Sequence, residues 1–363
     1  MSDNNITVAS RQWATRPDDQ RFLSMEELRN SVLARKRESW TVQTACRDLR
    51  ILPAADNELQ LVVHDNAIGR DRQIVPTNWS FSQLATFSGA PGSYLRKLPA
   101  ELAAINLQWG LDHFDSGETL ILGRDNGNAE LRAMTGPTYG RIWDIEVVEA
   151  VQRVNADGRW KIPSASYSNS DPRRATTLYA SDRDVFIFLC DPHNPVEVGK
   201  ETLFRGFYTW NSEVGSATFG LTTFLYRYIC DNRIIWGASS VQELKIRHTS
   251  GAPNRFAYEG ARYLQRYAEE STRELQSQIQ SAQQKEVKSL MSKDQTLEDW
   301  LQKRGFTKAQ AKSGIERANE EEGQAASVWD LVQGLTAYAR TIKHTNDRVD
   351  VETKAGKLMQ LAA

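Results

Sequence analysis

Rings and cations crowd one stretch of this chain. Arg205, Tyr208, Trp210, Tyr226, Arg227, Tyr228, Arg233 and Trp236 fall within it, and Lys245, Arg247 and His248 follow. Aromatic rings stack on any nucleobase and arginines track a phosphate backbone, so the interleaving points to single-stranded nucleic acid as a partner. The contacts it nominates are Arg205, Tyr208, Trp210, Tyr226, Arg227, Arg233, Lys245 and Arg247. Core packing competes for each ring, because large aromatics dominate protein interiors. Several cations together are harder to hide, since burying unpaired charge is costly.

Other chemistries find little support. No Walker loop, HExxH, GxSxG or EF-hand pattern occurs, which argues against the enzymes those motifs build. The five histidines, His64, His113, His193, His248 and His344, are scattered without metal-ligand spacing, so no metal and no cofactor is expected. Glu213, in Asn-Ser-Glu-Val-Gly, invites three readings: capping a turn beside Asn211 and Ser212, accepting from an arginine, or ligating a metal.

Composition sets the outer bounds. The chain has 363 residues, 40% of them hydrophobic, enough for one large or two modest domains. With 45 Lys plus Arg against 46 Asp plus Glu, the net charge is −1, so any polyanion contact needs a local basic surface. Three cysteines without CxxC spacing fit a reducing cytoplasm. The polar N-terminus and the lack of a long apolar run predict neither export nor membrane insertion.

The rings must be held by strands. Residues 203–210 and 217–229 alternate with a period of two, and Asp231-Asn232 supplies a turn before Arg233-Ile234-Ile235-Trp236. Asn126-Gly127 and Ser181-Asp182-Arg183 sit between further alternating runs, predicting two more hairpins. Pro53 to Asn57 separates short strands within 41–63. Ser24 with Glu27 opens a helix closed by Arg35, Lys36 and Arg37, which suit the negative end of its dipole. Helical spacing covers 79–87, 99–111 and 144–154. After Pro253, Leu264, Ala268, Leu275, Ile279 and Ala282 step by helical intervals, predicting one long helix over 255–291. Thr296 with Asp299, Thr307 with Gln310 and Ser327 with Asp330 have capping-box spacing and predict a helical tail.

Four segments carry a resemblance to a known family. NSEVGSATFGLTTFLYRYICDN (211–232) resembles the signature of the domain-of-unknown-function family numbered 932, a group of phage- and plasmid-like proteins. WATRPDDQRF (13–22), APGSYLRKLPAEL (90–102) and RAMTGPTYGRIWD (132–144) are similar to its other segments, so the likeness covers roughly residues 10 to 245. It implies a mobile-element context and no particular activity.

The expected fold is α+β, a mainly antiparallel sheet flanked by helices, then a long helix and a small helical C-terminal subdomain. The expected division is an arm over 1–22, a body over 23–252, the long helix over 253–293 and the tail over 294–363. The leading expectation for function is a non-enzymatic, homo-oligomeric protein that binds single-stranded DNA in recombination or replication and anneals strands. The alternatives are a counter-defence factor that binds a host or phage protein and no nucleic acid, and a cryptic metal-dependent nuclease.

Overall fold

A computed structural model describes residues 16–114, 117–125, 127, 129–162, 176–198, 201–227, 239–339, 341–342, 351 and 354–362. Two six-stranded sheets form the body. The central sheet contains β1 (Arg21–Phe22), β8 (Leu178–Ala180), β9 (Val185–Val198), β10 (Glu201–Asn211), β11 (Phe219–Arg227) and β12 (Ser239–Ile246), in the order β1-β8-β9-β10-β11-β12. Every pairing in it is antiparallel. The N-terminal sheet has the order β2-β6-β7-β5-β4-β3, from β2 (Ser39–Ala45), β3 (Arg50–Pro53), β4 (Leu59–Asp65), β5 (Arg70–Pro76), β6 (Glu118–Asp125) and β7 (Ala129–Thr135). Its β5–β7 contact is parallel. The fold is therefore α+β, as the strand patterns indicated, with the strands divided between two sheets.

Local chemistry explains most boundaries. Ser24 accepts from the Glu27 amide at 3.1 Å, and Glu27 accepts from the Leu23 amide at 2.9 Å, opening α1 (Met25–Glu38). Thr77 caps α2 (Asn78–Phe87), and Pro99 precedes α3 (Ala100–His113). The β6–β7 hairpin turns at Gly127, whose φ of 97° is open to glycine at no steric cost. The β8–β9 hairpin turns at residues 181–184, where Ser181 Oγ accepts from the amides of Arg183 and Asp184. β11 and β12 pair antiparallel, but the Asp231-Asn232 turn and Arg233 to Trp236 lie outside the described residues.

Separate hydrophobic cores hold these layers. α1, α4 (Asp144–Val154) and α5 (Ala261–Glu269) pack on one face of the central sheet, over Leu178, Ile187, Leu189, Phe207 and Leu221. α2 and α3 cover the N-terminal sheet through Leu84, Ala104, Leu107 and Leu111. The tail helices α7 (Lys308–Glu322) and α8 (Val328–Ala339) share a third core with Val196, Val198, Leu203 and Leu225 of the central sheet. The capping spacings in this tail are realised, with amides of Asp299, Gln310 and Asp330 donating to Thr296, Thr307 and Ser327.

The helical stretch after Pro253 runs in pieces. A turn at Ala252–Arg255 leads through a π-helical turn at Phe256–Gly260 into α5, and Glu270, with ψ 130°, interrupts the chain before α6 (Thr272–Gln284). Arg205 takes up the carbonyls left open at this break, donating to Glu270 O at 2.7 Å.

Candidate functional site

Three connections meet where the two sheets join: residues 136–143 between β7 and α4, residues 212–218 between β10 and β11, and residues 247–251 after β12. Tyr139 donates its hydroxyl to Ser212 O at 2.9 Å and stacks on His248 with ring centroids 4.9 Å apart. The Gly140 amide donates to His248 O at 3.1 Å. From the N-terminal sheet, α2 reaches across. Trp79 Nε1 and Gln83 Nε2 both donate to Val214 O, at 2.9 and 2.8 Å, while Gln83 Oε1 accepts from the Met134 amide.

A buried charge cluster lies beneath these loops. Glu213, 1% exposed, accepts from Arg132 Nη2 at 2.7 Å and from the Asp144 amide at 2.9 Å, and Arg35 Nε lies 3.7 Å from it. Arg141 donates to Glu213 O. Asp144, also 1% exposed, pairs with Arg35 through Oδ2 and accepts from Asn211 Nδ2 through Oδ1 at 2.7 Å. Asn211 Nδ2 is also 2.8 Å from Ile142 O. The glutamate thus satisfies the first amide of α4 and answers arginines from α1 and β7, so one side chain ties four elements together. Of the three readings of Glu213, accepting from an arginine describes what the structure shows.

Burial and environment drive these groups apart. Desolvation and the Glu213 charge push Asp144 up to about 8, against the pull of Arg35. Desolvation acts on Glu213 too, but Arg35 and Arg132 outweigh it and hold it below the usual carboxylate range. Burial lowers Arg141 to about 10, and Arg141 Nη2 has no hydrogen-bond partner among the described residues. Burial also pulls His248 below its ordinary value.

A second buried cluster sits on the helix-covered side of the central sheet. Asp191, fully buried, pairs with Arg159 and with Arg205 Nη2 at 3.4 Å, and accepts from Asn194 Nδ2 and the His193 amide. Arg159 Nη1 donates to Ala268 O at 3.0 Å, at the end of α5. Both clusters tie helix termini to the sheet.

The proposed nucleic-acid contacts are dispersed by this fold. Arg205 is 2% exposed, held by Asp191 and the α5 terminus, so it offers nothing to a phosphate. Tyr208 and Trp210 are 0% and 7% exposed, on the sheet face opposite Arg205. There they join Tyr179, Phe186, Phe188 and Phe224 in a layer of rings 5.7–6.1 Å apart. Stacked and tilted packing of big rings across β8 to β11 fills a core, so the competing reading holds for Tyr208 and Trp210. Lys245 and Arg247 are exposed at the end of β12. Tyr226 and Arg227 lie on β11, and Arg233 falls outside the described residues. His64 pairs with Asp71 on the surface, at 2.7 Å. Among the described residues no group of three or more His, Cys, Asp or Glu is placed to hold a metal ion.

One surface was not anticipated. α3 buries Ala103, Ala104, Leu107 and Leu111, yet turns Leu102, Ile105 and Trp109 outward at 50%, 64% and 54% exposure, with Phe114 just beyond at 48%. Helical spacing over 99–111 predicts the helix, but does not say which of its apolar positions are covered.

The chain matches the model of the family described as Domain of unknown function (DUF932) over residues 136–360. It belongs to that family. The DUF932 match begins at Gly136, where the first of the three converging loops leaves β7, and runs through the tail helices. Two of the quoted segments, residues 13–22 and 90–102, precede it, so the span of likeness lies further along the chain than the resemblance suggested. The DUF932 span contains Arg141, Asp144, Asn211 and Glu213, while Arg35 and Arg132 come from the part before it. No curated protein and no solved structure matches the chain. No helix among the described residues is long and apolar enough to cross a membrane.

Proposed function

We propose that this protein is a protein-binding module whose docking surface is the outer face of α3. The observation that carries it is the stripe of Leu102, Ile105 and Trp109, each at least half exposed, on a helix whose opposite side already packs on the N-terminal sheet. A contiguous apolar stripe of this kind is costly to leave in water, and anchors at helical spacing with a tryptophan among them are the usual hot spots of helix recognition. A photo-crosslinking amino acid at position 105, in the full chain expressed in cells, should capture protein, whereas the same group at the exposed Lys312 on α7 should not. Equal background capture at both positions rejects the proposal.

A second reading keeps single-stranded nucleic acid, with recombination or replication in a mobile element as its setting. Lys245 and Arg247 favour it, because both are exposed at one end of the sheet. Mobility shifts across a salt series test it. Replacing each by Ala should lower the salt slope by about one unit. Folded wild-type protein that shifts no DNA or RNA at low salt rejects it.

A further inference from the structure

We infer that the exposed face running from Tyr258 to Arg266 is a binding site for a single nucleic-acid strand, with a base on Tyr258 and backbone phosphates on Arg262 and Arg266. This rests on the single-strand reading and supplies its site, in place of Arg205, Tyr208 and Trp210, which are buried. The first support is a ring and two cations that folding leaves over. The π-helical turn at Phe256–Gly260 buries Phe256 and Gly260 and turns Tyr258 outward at 66% exposure. Arg262 lies over that ring, 5.1 Å from its centroid. Arg262 and Arg266 are exposed, and among the described residues neither has an ion-pair partner, whereas Arg255, just before the turn, is held by Glu259 at 2.8 Å. A guanidinium braced on a ring can receive a phosphate while the exposed part of the ring takes a base.

The second support is spacing. Arg262 and Arg266 are four residues apart on α5, about 6 Å along its axis, a step that neighbouring phosphates of an unstacked strand can span. The two cations therefore follow a backbone rather than clamp one group. Toward Tyr258 and beyond it the end of β12 comes alongside, because Ile246 pairs with Phe219, whose ring meets Phe256 edge-on at 4.9 Å. β12 is the edge strand, and exposed Lys245 and Arg247 carry the basic path round it.

The third support is a groove. A cavity of about 720 Å³ opens between α5 and α6, lined by Arg262, Tyr263, Arg266, Tyr267 and Gln278. Its tyrosines are anchored, since Tyr267 Oη donates to Phe224 O at 2.8 Å and Tyr263 Oη lies 3.4 Å from Thr223 Oγ1. A floor already fixed loses little freedom on binding. Glu269 and Glu270 line the far end, where α5 stops and Glu269 accepts from Gln265 Nε2 at 2.8 Å. Their carboxylates close that end to a phosphate backbone and direct it toward Tyr258. An acidic peptide would use the arginines but has no need of the ring.

Fluorescence anisotropy of a labelled oligo(dT) against the full chain, across a salt series, tests the inference. Wild type should bind, with affinity falling as salt rises. Arg262→Ala with Arg266→Ala should lower the salt slope by about 1.4, at roughly 0.7 per phosphate contact on a single strand. Tyr258→Ala should weaken binding about tenfold and leave the slope unchanged, because stacking releases few counterions. Lys308→Ala with Lys312→Ala, which removes the same charge from exposed positions of α7, should change neither. All these side chains are solvent-facing, so far-UV spectra and melting temperatures should match wild type. Binding indifferent to the arginine pair or to Tyr258 overturns the site and leaves the single-strand reading to Lys245 and Arg247. Polyglutamate that displaces the probe as well as unlabelled oligo(dT) does overturns the nucleic acid in favour of an acidic protein partner. Folded wild type that binds no oligonucleotide at low salt overturns both the site and the reading.

Discussion

Asp144 and Glu213 occupy one buried cluster, yet their surroundings act on them in opposite directions. Glu213 meets Arg132 and Arg35 together with a helix amide, which favour its charge, and Asp144 meets one arginine, an asparagine and the repulsion of Glu213. Because Asp144 is raised from 3.8 to about 8 on folding, the folded state holds its proton where the unfolded chain has released it. Its contribution to stability is fully present below its unfolded value and is lost as pH rises through about 8. Glu213, lowered, contributes in the opposite sense, but its window lies at and below its ordinary value of 4.5. His248, also lowered, gains stability with rising pH near neutrality, so the wild-type profile alone mixes two slopes. The difference between wild type and Asp144→Asn isolates the aspartate. From pH 5 to 8 the wild type should lose stability relative to the variant, by at most about 1.4 kcal/mol per pH unit. Denaturant midpoints at four pH values measure this, and a constant difference across the range would rule it out.

At the scale of elements, the sequence was most legible where one residue decides a local conformation. Ser24, Thr296, Thr307 and Ser327 each bind the amide that their spacing nominates, because a cap depends on four consecutive residues. The hairpins at Gly127 and at Ser181 follow for the same reason. Strand β5 was missed, since Arg70 to Gln73 carries no apolar alternation and sits there by pairing with β4 and β7. The site was less legible than the fold. Arg35 read as the basic end of α1, and nothing local distinguishes it from Lys36, yet it is buried against Asp144 and Glu213 from far along the chain. Arg205 alternates off the face of Tyr208 and Trp210, so period two alone separated the cation from the rings. What the pattern could not convey is that both faces of β10 are covered. Gly220 records that on one side: a Cβ there would lie 1.9 Å from the Trp210 ring, so the indole is laid flat across the neighbouring strand.

At the scale of the whole molecule, the tail and the central sheet stabilise each other through one core. Val196, Val198, Leu203 and Leu225 are at most 2% exposed, and they are covered by the side chains that include Trp300, Trp329, Leu331 and Leu335. Apart from Ile279 and Ala282 of α6 and Val287, the apolar cover over the far ends of β9, β10 and β11 comes from the tail. Burying each such side chain contributes about 1.5–3 kcal/mol, so uncovering even part of the four removes a large share of the ~5–15 kcal/mol that keeps a domain folded. A chain ending at Lys293 should accordingly fail to show a cooperative melt, or melt far below the full chain. Trp329→Ala is the milder form of the same test, because it leaves the tail present and opens one cavity at a cost of about 3–5 kcal/mol. If sheet and tail are one cooperative unit, hydrogen exchange in β10 and in α8 should accelerate together in that variant. Loss of protection confined to α8, with β10 unchanged and the truncated chain melting like the full one, would mean that the sheet stands without its helices.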